Sequence, residues 1–194
     1  MITVVRDQRL MIGINKNEQA SIHIRLCLLI LATCLLTGCV DVPEGTEPVK
    51  GFVLDRYLGR WYEIARLDHS FERGLSRVTA DYSLRDDGGI KVLNRGFDSE
   101  EQEWKEAIGK GYFTGPTDVG QLKVSFFGPF YGAYNIIMLD KQAYQYAMVS
   151  GSDYSYLWIL ARSPNLAQDI IDQLVARAEK AGFPVKDLIF VAQD

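Results

Sequence analysis

Cysteine is nearly missing from this 194-residue chain: there are three, Cys27, Cys34 and Cys39, and none from Val40 to Asp194. A disulfide framework within that stretch is excluded, and so is Cys–His catalysis. Histidine is as scarce, and His69 is the one imidazole after His23. A Ser–His–Asp triad would have that single base, and the adjacency of Ser70 does not make a triad. No repeated His, Cys, Asp or Glu spacing points to a metal, and haem would need an axial ligand from His69 or a tyrosine, so neither metal nor cofactor is expected. Stripes of Lys and Arg are absent and the formal net charge is −4, which leaves no electrostatic case for nucleic acid. Also missing are internal repeats, low-complexity tracts and any apolar run near the ~20 residues that a membrane-spanning helix needs.

The longest apolar run is Leu26–Leu36, behind His23 and Arg25. It has the length and the cationic flank of a signal-peptide core. Leu36-Thr37-Gly38-Cys39 follows at once and resembles the lipobox of bacterial lipoproteins, in which the Cys is lipidated and becomes the new N-terminus. The resemblance implies that residues 1–38 are a lipoprotein signal peptide with an over-long leader. Cys39 would be the lipid-attachment site and 39–50 a lipidated tether. Two or more acyl chains give stable anchoring where one is marginal. Val40, rather than Asp, follows the Cys, which implies the outer membrane of a Gram-negative bacterium, with the domain facing the periplasm. Residues 1–38 carry four of the 21 Lys and Arg and two of the 25 Asp and Glu, so the remainder is more acidic than the whole. Asp41–Lys50, with Pro43, Gly45 and Pro48, is polar and aperiodic, and is expected to be an unstructured tether reaching roughly 30 Å.

From Gly59 onward, apolar runs of strand length alternate with turn signals, the pattern of an antiparallel all-β barrel or sandwich. Eight strands are expected, at about 60–68, 77–85, 90–98, 103–114, 121–127, 133–140, 144–151 and 156–162. Ser163-Pro164 reads as an N-cap and first helical position. Leu166, Ile170, Ile171, Leu174, Val175 and Ala178 then recur at helical spacing up to Gly182. One amphipathic helix is therefore expected outside the sheet, followed by a short final strand at Leu188–Val191.

Gly59-Arg60-Trp61 opening the first strand, and Trp158-Ile159-Leu160-Ala161-Arg162 ending the eighth before a helix, together resemble the lipocalin pattern. The middle motif is only partly present, with Asp140 carrying over from Leu139-Asp140-Lys141. Phe71–Leu75, Tyr82–Gly89 and Val124–Gly132 resemble more narrowly the outer-membrane lipoprotein lipocalins of bacteria. The resemblance implies an eight-stranded up-and-down barrel over residues 51–194, closed at one end by Arg162 stacked on Trp61. It also implies a fatty-acid or phospholipid ligand, lysophospholipid foremost, and a role in envelope maintenance or stress.

Strand alternation, counted from Trp61 and Arg162, gives the inward set. It places Ala65 on the first strand, Val78, Ala80 and Tyr82 on the second, Val92 on the third and Phe113 on the fourth. Val124 and Phe126 follow on the fifth, Tyr134, Ile136 and Met138 on the sixth, Val149 on the seventh, and Tyr156 and Trp158 on the eighth. This lining is mostly apolar and suits an acyl chain. Glu63 also falls inward and is expected to pair with an Arg at the floor. The open-end connections carry an aromatic rim of Phe71, Trp104, Phe130, Tyr131 and Tyr154, suited to a membrane or a partner, and His69 is expected to be solvated there. Two competing readings remain. One is a filled barrel that acts through its rim or as a homodimer, and the other is a lipid-acting enzyme.

Overall fold

The structure, a computed structural model, describes residues 41–194. The expected signal peptide, residues 1–38, and the expected lipid-attachment site Cys39 lie outside the described residues. A one-turn helix α1 (Leu54–Tyr57) leads into β1 (Gly59–Arg66), β2 (Leu75–Leu84), β3 (Ile90–Asp98) and β4 (Glu103–Phe113). There follow β5 (Gln121–Ser125), β6 (Gly132–Leu139), β7 (Tyr146–Ser150), β8 (Leu157–Ala161), helix α2 (Gln168–Lys180), a 3₁₀ turn at Val185–Asp187 and β9 (Ile189–Phe190). Every neighbouring pair is antiparallel, and β1 pairs with both β8 and β2, which closes eight strands into a barrel. Strand β9 adds to β1 outside that circle.

The β1–β2 ladder runs only from Gly59↔Tyr82 to Tyr62↔Thr79. Beyond it the chain's last residues fill the seam. Arg77 donates its N–H to Ala192 O at 2.7 Å, and Gln193 Nε2 donates to Glu63 O at 2.7 Å and Val78 O at 3.0 Å.

Three register shifts decide which side chains face inward: at Glu63/Ala65 in β1, Ser76/Thr79 in β2 and Ile136/Met138 in β6. A bulge adds one residue and inverts the alternation beyond it. Ala65, Ile159, Met148 and Met138 form one row of cross-strand partners. That row lies outside the barrel and is covered by Leu174 and Ala178 of α2. Ala65 and Met138 are therefore not part of the lining, and Leu67 is likewise under the helix. Arg66 and Leu139 take the inward positions, opposite Trp158 and Ala147.

Helix α2 starts at Gln168, after Ala167, and Ser163-Pro164 lies in the bend before it rather than at its cap. Its end is a Schellman turn. Gly182, at φ +99°, donates to Glu179 O, and Phe183 donates back to Ala178 O and buries its ring beside that residue. The seventh strand begins at Tyr146 because Asp140 holds the preceding turn, its carboxylate accepting from the N–H groups of Gln142, Ala143 and Gln145.

Asp41–Lys50 is not a free tether. Val49 donates to Ile136 O and accepts from Gly120 N, both at 2.8 Å, and Asn135 Nδ2 donates to Asp41 O at 3.0 Å. Pro43 is buried. The segment runs as a strap along the barrel, so the expected reach of this stretch is taken up against the protein surface.

Candidate functional site: a barrel closed at one end

The connections 85–89, 114–120 and 140–145 lie at one end of the barrel, and 67–74, 99–102, 126–131 and 151–156 at the other. The first end is sealed. Trp61 is fully buried, donates Nε1–H to Tyr57 O at 2.8 Å, and lies under the Arg162 guanidinium, 4.0 Å from the ring centre. Arg162 in turn donates to Arg60 O at 2.8 Å and Arg56 O at 2.7 Å, backbone carbonyls of the floor. Gly59 beside it takes φ +92°, a backbone conformation that L side chains rarely adopt, while a Cβ there would meet Arg162 Nη1 only at an ordinary 3.5 Å. Phe52, Leu54 and Tyr57 form a layer inside the seal.

Above the seal is a small apolar cavity, bounded among others by Tyr82, Val92, Gly111, Leu122, Val124 and Tyr134. Its volume, counted as space open to the centre of a water-sized sphere, is about 10 Å³, roughly one water. Of the residues expected to line a pocket, Tyr82, Val92, Val124 and Tyr134 border this space. Ala80, Ile136 and Val149 are buried in the inner core, with Phe113 packed on it. Val78 packs over Gly96, and Phe126 lies across Gly109, where a Cβ would come within 2.9 Å of its ring. The tyrosine hydroxyls are linked to one another: Tyr134 Oη lies 2.8 Å from both Tyr57 Oη and Tyr82 Oη. Burial raises the pKa of all three.

The mouth has a different chemistry. Arg66 is fully buried and donates to Glu63 Oε1 at 2.7 Å and to Glu72 O at 2.7 Å. Glu63 thus pairs with Arg66 and not with the floor arginine. The Glu72 carboxylate accepts from Trp158 Nε1 at 3.0 Å and lies 3.8 Å from His69 Nε2. His69 is not solvated; at 5% exposure it is stacked between Phe71 and Tyr156, with ring centres 5.2 and 5.0 Å away, and rests on Trp158 at 4.8 Å. Arg66 Nε and His69 Nε2 have no hydrogen-bond partner among the described residues. Burial, and then the neighbouring Glu72, push Glu63 up to about 8, and burial raises Glu72 as well. One cation cannot neutralise two buried carboxylates, so the pair holds a proton near neutral pH. Burial, and then Arg66, push His69 down to about 4.

These shifts have opposite signs in stability. His69 stabilises the fold above its ordinary 6.5 and loses that contribution as pH falls toward 4. Glu63 contributes below its ordinary 4.5 and loses that contribution as pH rises through about 8. Thermal unfolding across this range should therefore show Glu63→Gln with a flatter alkaline limb than the parent, and His69→Phe with a flatter acid limb. Parallel curves for parent and variants would refute the assignment.

The interior also opens sideways. Strand β4 pairs with β5 only from Lys110 to Phe113, so residues 103–109 have β3 alone as a ladder partner. Ala107 shares the inward row of Asn94 and Ala80 and is nevertheless exposed. No group of three or more His, Cys, Asp or Glu able to hold a metal occurs among the described residues.

Arg66, Glu72 and His69 were invisible as a set because each reads alone as an ordinary surface residue. The one available signal was Glu63: a carboxylate at an inward position demands a cation, and Arg66 lies three residues on. In the expected rim, Phe71, Phe130 and Trp104 are exposed. Tyr131 lies over Lys123, and Tyr154 tucks against Phe183 and donates to Glu44 O. Phe127, assigned from sequence to a strand, is exposed in the 126–131 connection.

A closed antiparallel barrel, sealed at one end by an Arg-capped Trp and charged at its open mouth, defines a calyx-type β-barrel protein. Comparison with known proteins makes this specific. Residues 52–193 match the family model of the Lipocalin-like domain. The outer membrane lipoprotein Blc of Vibrio cholerae is 54% identical over 169 residues, covering 87% of this chain and 99% of that protein. Its Escherichia coli K12 namesake is 52% identical over 164 residues, covering 84% and 92%. Insecticyanin of the tobacco hornworm Manduca sexta superposes with a TM-score of 0.61 at 20% identity, covering 78% of this chain and 86% of that one. The cockroach allergen Per a 4 does so with 0.60 at 20%, covering 81% and 96%. The chain belongs to the lipocalin family.

Proposed function

We propose that this lipocalin is a lipid-binding protein of the outer membrane, anchored through acylated Cys39 and facing the periplasm. Its ligand would be a fatty acid or a phospholipid-derived amphiphile, foremost a lysophospholipid. The observation that carries this reading is the polarity of the interior, apolar at the base around Val92, Gly111 and Val124, charged at the mouth around Glu63, Arg66 and Glu72. An amphiphile has the same order of parts. The unpartnered Arg66 Nε and His69 Nε2 leave hydrogen-bonding capacity for a polar head, and each methylene buried below is worth about 0.8 kcal/mol before ordering costs. A role in envelope maintenance or under stress accords with the Blc relatives' location by name. Binding is favoured over catalysis because His69 is buried and neutral, with no hydroxyl nucleophile hydrogen-bonded to it among the described residues.

The test is extraction of bound small molecules from the purified protein for mass spectrometry, followed by titration of the stripped protein with lysophospholipid. Trp158 at the mouth serves as the fluorescent reporter. At Gly111 an added Cβ meets Val124 at an ordinary 3.5 Å, so Gly111→Leu fills the cavity without backbone conflict. Displacing about two methylenes should weaken binding roughly tenfold. No saturable change with any amphiphile would sink the reading. It would favour the second one, which the small cavity supports: a filled barrel acting through its rim, which predicts a dimer by light scattering that lipid extraction leaves unchanged.

A further inference from the structure

The most exposed large apolar side chains in the described chain are Phe127 and Phe130, at 81% and 74%, both in the 126–131 connection at the open end. They project beside a pair of lysines: the Nζ atoms of Lys123 and Lys110 lie 4.9 and 5.9 Å from the Tyr131 ring centre in the same connection. Phe71, 61% exposed, stands on the 67–74 connection at the same end. Four carboxylates of the mouth surface, Asp98, Glu100, Glu101 and Glu103, are gathered at the β3–β4 turn, while Asp68 is paired with Arg73 on the 67–74 connection and Asp153 stands on the 151–156 connection. An otherwise acidic chain thus presents exposed aromatic rings with cations beside them at its open end, here and at Trp104, which lies under Arg95 and Arg77, the pairing suited to a phospholipid interface.

The strap says what covers that patch. The Asp41 carbonyl is held by the buried side chain of Asn135, whose amide also donates to Gly151 O at 2.9 Å. Asn135 pairs with Ser150, the last residue of β7 before the 151–156 connection. The chain therefore leaves the barrel near its open end, on the strand that follows the Phe127–Phe130 connection. Cys39 is two residues further on, within about 7 Å of chain.

We propose that this connection is a membrane-docking wedge: with Cys39 acylated, Phe127 and Phe130 enter the leaflet that holds the anchor, and the barrel mouth is turned onto the phospholipid surface. A ligand would then pass between bilayer and barrel without crossing water. The inference rests on the lipid-anchor reading above, and its test separates the two. In the mature, acylated protein the Cys39 thiol is consumed, so a cysteine introduced by Phe127→Cys, Phe130→Cys or Val53→Cys is the only free thiol. Val53 is exposed beside α1 at the sealed end and serves as the reference.

Each variant is labelled with a polarity-sensitive fluorophore and reconstituted into vesicles of phosphatidylethanolamine and phosphatidylglycerol. The expected result is a blue shift and a several-fold loss of quenching by aqueous iodide at positions 127 and 130, with position 53 open to the quencher. Equal quenching at all three positions in protein that floats with the vesicles would overturn docking and leave the anchor standing. Failure to float would overturn both. Shielding at 127 accompanied by crosslinking between copies would assign the wedge to a second copy of the chain, and so also overturn the proposal.

Discussion

Arg66→Ala is expected to cost about 3–5 kcal/mol of folding stability at neutral pH, the usual penalty for removing one partner of a buried ion pair. The reason lies in what is left behind. Glu63 and Glu72 would remain buried without the cation that donates a 2.7 Å hydrogen bond to Glu63, and both are already pushed toward protonation. Removing the guanidinium raises them further. Carboxylates raised in the folded state stabilise it below about 4.5 and cease to do so as pH rises. The deficit of Arg66→Ala should accordingly shrink as the medium is acidified and widen above neutrality. Urea denaturation at several pH values measures this directly. Adding Glu63→Gln to Arg66→Ala should recover part of the loss at pH 8, because it removes one stranded charge. A deficit of the same size at every pH would mean that the residue matters through packing alone.

Trp61→Ala should be of similar size, about 3–5 kcal/mol, and for a different reason. The indole is completely buried at the sealed end, so its loss leaves a cavity, orphans the Tyr57 carbonyl and strips Arg162 of the ring beneath it. Trp61→Phe keeps a ring and loses the N–H donor, and should cost about 1–3 kcal/mol for the unsatisfied carbonyl. A double-mutant cycle with Arg162→Ala isolates the cation–π contribution, expected at about 0.5–2 kcal/mol. Additive single effects would show that stacking contributes nothing beyond the backbone hydrogen bonds of Arg162. A loss below 1 kcal/mol for Trp61→Ala would remove the sealing role altogether.

Much of the architecture could be read from residue order because turn chemistry and strand alternation are local properties. Asp86-Asp87-Gly88-Gly89 needs no knowledge of the fold to be a turn. Inward and outward facing was harder. At Ala65 and Met138 both faces of the sheet are apolar, one toward the barrel and the other toward α2, so alternation gave no warning of the bulges. A shift of one residue exchanged Ala65 for Arg66 and Met138 for Leu139. The mouth cluster failed for another reason: Glu63 and Trp158 are brought together with Glu72 and His69 only when the 67–74 connection folds over the opening. The strap has the polar, proline-containing sequence of a flexible tether. Its backbone hydrogen bonds to Ile136 and Gly120 are long-range pairings that composition does not encode.

The three linked tyrosines at the base admit a count of protons. Tyr57, Tyr134 and Tyr82 bring three hydroxyl hydrogens to two links, and in each link either oxygen can be the donor. Two hydrogens are consumed and one is left over. When both links run toward Tyr82 the spare hydrogen belongs to Tyr82, and when both reverse it passes to Tyr57. When Tyr57 and Tyr82 both donate to Tyr134, it stays on Tyr134. The base of the barrel thus carries a single movable donor that can answer a carbonyl or carboxylate oxygen at any of three places, through rotation of hydroxyls alone and without displacing a ring.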